Sequence, residues 1–503
     1  MNLLKRQGFY NSIILYAGTA LGFINLTILF QRILTLEEIG FFTIMNTITL
    51  LYAQIASVGI NNIIFKYLPH FRSDDKKHGG FVTFVIVWCV ISFVIFTLVF
   101  LYFQGAIVNH YSRKPGSDEL APGAKLLVQY FYYLIPLAFL TMVFTVLESL
   151  AITVFKNILS SFLREVFLRV FTLVSVLLIG ASLINYHDFL SIYLSGNVAM
   201  IAIMLLYIYK GRDFKLAGIS PQIVSKKKEF IKYGFFTLLS STSAALIQSL
   251  DNIMLLDITK DLKILGIYTA FFAIALVISL PAKALNRTSL QIIAQAWADN
   301  NLPKIGKIYY KTSVMQMLIG SLLFIGLIVN KPFIMVLLHK NEYRAYFDVF
   351  VVVGLGFLTD ITGGVNGYIV NLSKYYRYTT YFIVGSVLFC IAANWLLIPR
   401  IGMMGAAAAY FLTTFVLNFL YWIFVKVKFG LQPFGKTHVL IIIISVIALI
   451  TGLYLPLGHN VYIDLILRSS IVGVIYISLA YLLKISDDVN QLIDGVLKRS
   501  NKI

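Results

Sequence analysis

FVTFVIVWCVISFVIFTLVFLY, residues 81–102, contains no charged side chain. At 1.5 Å of rise per residue, a helix of this length crosses the roughly 30 Å hydrocarbon core of a bilayer. The apolar residues are continuous rather than alternating, which excludes a strand of a transmembrane barrel. Val439–Leu455 repeats the pattern near the other end of the chain. Of the 503 residues 59% are hydrophobic and 13% charged, with 40 Phe and 30 Tyr, so a soluble fold would have to bury nearly everything it contains. No soluble surface-to-volume ratio allows that. The class is an all-α polytopic membrane protein.

The same reading places spans near 8–30, 40–60, 81–104, 126–147, 166–184, 188–209 and 233–257. A second series follows near 265–283, 312–330, 347–371, 379–398, 404–425, 438–456 and 465–483. About 14 transmembrane helices are therefore expected. The N-terminal stretch Met1–Phe30 has Lys5 and Arg6 ahead of a long apolar run, but the run ends in Gln31-Arg32 with no small-residue cleavage site. It reads as the first span rather than a secretory signal.

The formal net charge of +19 comes from 41 Lys+Arg against 22 Asp+Glu. With both termini cytoplasmic, roughly three-quarters of the basic residues fall on the inner side, as the positive-inside rule requires. That accounts for the charge without nucleic acid, for which no basic run interleaved with aromatics is present. Cys89 and Cys390 lie inside apolar runs and read as packing residues. The His residues, scattered at His70, His78, His110, His187, His339, His438 and His459, lack metal-ligand spacing, and no Walker-type glycine loop is present. No enzyme, cofactor or metal is indicated. A membrane-bound polymerase or acyltransferase would carry a large outer loop, whereas 105–125 and 331–346 are short.

An internal repeat organises the spans. Gly8-Phe9 and Gly234-Phe235 are 226 residues apart, and the same offset relates Gly40 to Gly266, Thr43 to Thr269 and Arg6 to Lys232. Both copies have the same orientation in the membrane, which implies two lobes related by an axis along the membrane normal. The expected domains are an N-terminal six-helix lobe (1–210), a cytoplasmic linker with Lys226-Lys227-Lys228 (211–232), a pseudo-symmetric C-terminal six-helix lobe (233–428), and two extra helices with a cytoplasmic tail (429–503).

Polar residues within the spans are the site candidates. Thr237, Ser241, Ala244, Gln248 and Asp251 form a stripe at helical spacing. An ionised Asp inside a bilayer needs water or a partner, so Asp251 either faces a hydrated cavity or sits at the interface with a structural partner. Its repeat counterpart is Asn25, on a face with Asn11, Gly18 and Gly22, a small-xxx-small spacing that also serves helix packing. Thr359-Asp360-Ile361-Thr362-Gly363-Gly364-Val365-Asn366-Gly367 is rich enough in glycine to bend or unwind. There Asp360 and Asn366 either meet sugar hydroxyls or a coupling cation, or belong to a glycine packing seam with Asp360 as a cap. Arg164 and Arg169 read as topology determinants or snorkelling anchors.

The segments LTLEEIGFFT (34–43), SKKKEFIKYGFFTLLS (225–240), LDNIMLLD (250–257) and LKILGIYTAFFAIALVISLP (262–281) resemble bacterial polysaccharide-export flippases of the Wzx type, used in O-antigen and lipopolysaccharide assembly. These belong to the multidrug/oligosaccharidyl-lipid/polysaccharide exporter superfamily. As a pattern the resemblance covers roughly residues 1–425. It implies alternating-access transport of an undecaprenyl-pyrophosphate-linked oligosaccharide from the inner to the outer leaflet of the bacterial cytoplasmic membrane. The expected partners are that substrate, membrane lipid, and a glycan polymerase or glycosyltransferases; coupling to H+ or Na+ is open. A pyrophosphate needs concentrated positive charge, for which Arg32, Lys66, Lys283 and Arg287 are the candidates, although each is also explained as a basic anchor at a helix end. Lipid II flippases of the superfamily carry an Arg-Asp pair in the first helix, where this chain has Gly18, Thr19, Gly22 and Asn25. Multidrug exporters usually stop at twelve helices and often carry an acidic residue in that helix; a cation-coupled exporter of that kind is the alternative reading.

Overall fold

The computed structural model describes residues 3–112, 123–154, 156–211, 213–455, 458, 460–486, 489–491 and 493–494. Among them the ordered elements are all helical. In chain order we name α1 (3–33), α2 (Leu36–Ala56), α3 (His78–Tyr111), α4 (Ala124–Thr153), α5 (157–180), α6 (Tyr186–Gly211) and α7 (Lys227–Thr259). Then follow α8 (Leu262–Lys283), α9 (Leu302–Val329), α10 (Asn341–Thr362), α11 (Arg377–Ile401), α12 (Met403–Phe429), α13 (Lys436–Tyr454) and α14 (Val461–Leu482).

Each expected span is thus helical, the one near 347–371 with a break. Twelve of the described helices are long and apolar enough to cross a membrane. The other two are α5 and α7. α5 carries Arg164, Glu165 and Arg169, and α7 carries the polar stripe read from the sequence. α3 is the most apolar span, with a mean hydropathy of 3.0 and only 11% of its apolar window buried within the protein, as suits a helix whose solvent is lipid.

Two compact units divide the described residues, Met1–Thr269 and Ala270–Ile503. In the first, α7 packs along α2, and the seam includes a bond from Asn252 Nδ2 to Thr47 Oγ1 (3.4 Å). Cys89 is buried in this unit and Cys390 in the second, both as free thiols.

The 226-residue repeat has a structural counterpart inside the first unit. Thr35 caps α2: its hydroxyl accepts from the Glu38 N–H (3.2 Å) while the Glu38 carboxylate accepts from the Thr35 N–H (2.7 Å). At the equivalent position before α8, the Asp261 carboxylate accepts from the Lys263 N–H (2.8 Å). One turn on, the helices cross at equivalent glycines. A methyl group on Gly40 would collide with the Leu262 carbonyl, and one on Gly266 with the Leu36 carbonyl. Leu36 and Leu262 are themselves repeat partners, so the contact is reciprocal.

The second unit contains a buried clamp. Arg468 on α14, 5% exposed, pairs with Asp464, 9% exposed, at 2.9 Å. Its guanidinium also donates to the carbonyls of Gly452 (2.6 Å) and Leu455 (2.7 Å), where α13 ends. One side chain thereby satisfies a buried carboxylate and two terminal carbonyls, groups with no water to turn to.

Two stability predictions follow from these contacts. Gly266→Leu forces a side chain into the α2 backbone, and overpacking of this kind costs about 1–3 kcal/mol; the apparent Tm in detergent should fall, whereas Gly385→Ala, with no heavy atom within 4 Å of the new methyl, should leave it unchanged. Asp464→Asn leaves Arg468 without its counter-charge at a cost of about 3–5 kcal/mol, much of which the double variant Asp464→Leu/Arg468→Met should recover. Equal losses in the single and double variants would deny the clamp its role.

Candidate functional site

In the first unit the polar centre lies where α1, α4 and α5 meet. Gly18 and Gly22, four residues apart on α1, bring the helix against α5. A Cβ on Gly18 would lie 2.7 Å from the Glu165 Cβ, and one on Gly22 2.7 Å from Arg169 Nη1. The small-xxx-small face is therefore a packing face, and what it packs against is charged. Arg169 forms an ion pair with Glu165 at 2.9 Å and donates to the Gly18 carbonyl. One turn earlier, Arg164 pairs with Glu148 of α4 and lies over the Phe144 ring.

Sequence reading missed this cluster. Arg164 and Arg169 are not simple anchors at a helix end: each is held by a carboxylate within the helical bundle. Their side chains remain 42% and 33% exposed, against 17% for Glu148 and 21% for Glu165. The i,i+4 spacing of Glu165 and Arg169 was a signal available in the sequence; the pairing of Arg164 with Glu148 depends on the tertiary fold.

The backbone is irregular at the same level. α1 contains a π-helical turn over Ile24–Leu29, and α5 one over Leu163–Phe167. Such turns widen the helix by one residue and frequently mark functional sites. Asn25, 5% exposed, sits in the first and donates through Nδ2 to the Arg169 carbonyl (2.8 Å). Its Oδ1 is buried with no hydrogen-bond partner among the described residues; so are the Oδ1 atoms of Asn11 on α1 and Asn157 at the start of α5. Unsatisfied buried acceptors are costly, and these three lie along helices that pack together. They are suited to donors from water or from a hydroxylated ligand.

Asp251 on α7 is buried, only 2% exposed. The Gln248 side chain lies outside the described residues. Lys66 is exposed, with its ammonium 3.9 Å from the centre of the Tyr233 ring and 4.8 Å from that of Tyr67. Tyr67 in turn donates to Glu229 Oε1 (2.7 Å). Arg32 is exposed at the end of α1.

In the second unit the glycine-rich segment does break. α10 stops at Thr362, a turn spans 363–365, and helix resumes at Asn366–Asn371. Gly364 has φ +61°, a conformation in which any other residue is strained. The Thr362 carbonyl at the break accepts from Ser313 Oγ of α9 (2.7 Å). His438 Nδ1 accepts from the Gly435 N–H (3.3 Å), which leaves Nε2–H to donate to the same Ser313 oxygen (2.9 Å). Across the break, Asn366 Nδ2 donates to Asn418 Oδ1 (3.0 Å), and Asn418 Nδ2 donates to Asp360 Oδ1 (3.2 Å). The structure thus links Asp360 and Asn366 through Asn418 of α12, a residue the sequence reading did not single out. Asp360 is exposed and Asn366 is 5% exposed.

Lys283 is exposed on the helix Leu280–Ala298, while the Arg287 side chain lies outside the described residues. On that helix Asn286 accepts from Gln316 of α9 (2.7 Å), whose own Oε1 is a further buried acceptor without a partner. Among the described residues no group of three or more His, Cys, Asp or Glu is placed to hold a metal ion.

Residues 4–291 match the family described as polysaccharide biosynthesis protein. An uncharacterized membrane protein of Methanocaldococcus jannaschii is 21% identical over 466 residues, 88% of each chain. Among solved structures, the lipid II flippase MurJ in an inward closed conformation is similar with a TM-score of 0.75 at 14% identity, covering 95% of this chain and 99% of that one. An inward-facing multidrug resistance transporter of the MATE family, in the MOP superfamily, gives a TM-score of 0.62 at 13% identity, over 84% and 94%. At these identities the two structures establish the fold.

A double-mutant cycle checks the α1–α5 attachment. Glu165→Gln and Arg169→Gln should each lower the apparent Tm in detergent, and the double variant should fall short of their sum by a coupling energy of about 0.5–3 kcal/mol. Strict additivity would mean that the pair does not act as a unit.

Proposed function

The chain belongs to the polysaccharide biosynthesis protein family, and from that premise we propose that it is a flippase moving an undecaprenyl-pyrophosphate-linked oligosaccharide from the cytoplasmic to the outer leaflet for surface polysaccharide assembly. The membrane is the bacterial cytoplasmic membrane, with both termini inside. Transport proceeds by alternating access of the two six-helix lobes, 1–210 and 233–428, about the linker 211–232, with 429–503 as an addition. Membrane lipid surrounds the path, and a glycan polymerase or glycosyltransferases are the partners in the same assembly.

The observation that carries this reading is the pair of arginines on α5, each held by a glutamate and each still partly exposed. A guanidinium kept in a low-dielectric bundle needs a counter-charge at rest. A pyrophosphate presents more charge than a carboxylate and accepts bidentate bonds from Arg. It can therefore take Arg164 and Arg169 from Glu148 and Glu165. Further cationic candidates are Arg32 and Lys66 in the first unit and Lys283 and Arg287 in the second. Within the first unit Asn25, Gln248 and Asp251, and within the second Asp360 and Asn366, are the candidates for sugar hydroxyls or a coupling H+ or Na+. No covalent chemistry is required of the chain.

Fold likeness to a multidrug transporter gives the second reading, a cation-coupled drug exporter, its one specific support. A deletion strain separates the two. Complementation with the wild type should restore surface glycan; Arg164→Lys/Arg169→Lys, which keeps the charge but not the bidentate fork, Asp251→Ala and Asp360→Ala should each restore at least tenfold less while reaching wild-type levels in the membrane. Glycan unaffected by deletion, together with gained resistance to cationic dyes on overexpression, would replace the flippase by the drug exporter.

A further inference from the structure

A cleft of about 640 Å³ opens at the end of the second unit where α9 finishes and α10 begins. Its walls come from the short helix Lys331–Leu338, the turn Asn341–Tyr346 that opens α10, and Val461 at the head of α14. Lys331, His339, Lys340 and Arg344 line it, and among the described residues no carboxylate does. Met335 and Val461 form part of its apolar wall.

Three features set this apart from an ordinary basic loop. First, on the proposed topology residues 331–346 face outside, the side on which Lys and Arg are normally depleted, yet three of them converge on one concavity. Second, His339 holds φ +63° at the end of its short helix, a position that usually falls to glycine. That strain turns the chain so that His339 and Lys340 join the cations from the two flanking segments. Third, the Lys331 ammonium lies 4.7 Å from the centre of the Phe347 ring, which restrains one of the cations that line the cleft. Cations above an apolar wall at a membrane surface suit a phosphate whose attached chain runs on into lipid.

We propose that this cleft is a binding site for a phosphate-bearing anion, with Lys331 and Arg344 as its principal cations. It is separate from the arginine cluster of α5. Only its assignment to the outer leaflet rests on the flippase reading; the binding chemistry does not.

The test uses the full-length chain in detergent and measures binding rather than transport, so its outcome is independent of the glycan phenotype. Native mass spectrometry scores retention of phosphatidylglycerol against phosphatidylcholine, and calorimetry scores inorganic pyrophosphate. For a headgroup ligand, the wild type retains phosphatidylglycerol preferentially, Lys331→Ala/Arg344→Ala loses it by about tenfold or more, and Lys331→Arg/Arg344→Lys keeps it. Pyrophosphate binding that the alanine variant loses, without lipid preference, supports the same site with a free anion as ligand. Equal binding by wild type and alanine variant, or binding of neither probe, overturns the proposal. Gel-filtration elution and Tm confirm folding, and Arg344→Gln alone takes the place of the double variant should that one unfold.

Discussion

Arg169 is the side chain on which the first unit turns. It neutralises Glu165, donates to the carbonyl of Gly18, lies against Gly22 and, through its own carbonyl, receives the amide of Asn25. Each of these partners comes from a packed helix, so none is readily replaced once the guanidinium is gone. Removing the guanidinium would strand a carboxylate and open the α1–α5 seam together. The glycines and the charge are two halves of one device, because only a backbone without side chains lets the guanidinium approach the α1 carbonyl.

The same constraint explains where the helices depart from regularity. The π-turns of α1 and α5, and the break after Thr362 in α10, release backbone groups that hydrocarbon cannot satisfy. Beside the π-turns, Asn25 donates to the Arg169 carbonyl and Arg169 to the Gly18 carbonyl; at the α10 break, Ser313, itself held by His438, donates to the Thr362 carbonyl. Irregular backbone thus coincides with polar side chains in both places. Such spots can rearrange at lower cost than a continuous helix, because alternative hydrogen-bond partners lie within reach.

Much of the fold was legible because it is written in local signals. Continuous apolar runs gave the helices, and repeat offsets pointed to Gly40 and Gly266, which meet in the structure. Gly363-Gly364 announced the break in α10. The site was legible only in part. Asp360 and Asn366 were visible as residues, but their link, Asn418, comes from a helix that no spacing rule connects to them. Arg164 read as an anchor because its glutamate is supplied by the preceding helix, and hydropathy treats every charge near a span as a boundary. Pairing across helices removes that equivalence: a charge held by a partner can sit where an unpaired one cannot.

Three groups of charge among the described residues differ physically. Asp464 and Arg468 are buried, mutually paired and bonded to two terminal carbonyls, so little of either is open to a ligand. Glu148, Arg164, Glu165 and Arg169 are paired yet a third or more of each arginine is still accessible, so a stronger anion can compete for the guanidinium groups. Lys331 and Arg344 line an open cleft with no carboxylate in its walls. An anion at the α5 cluster would have to displace a carboxylate from each guanidinium, whereas no carboxylate is among the described residues that line the cleft.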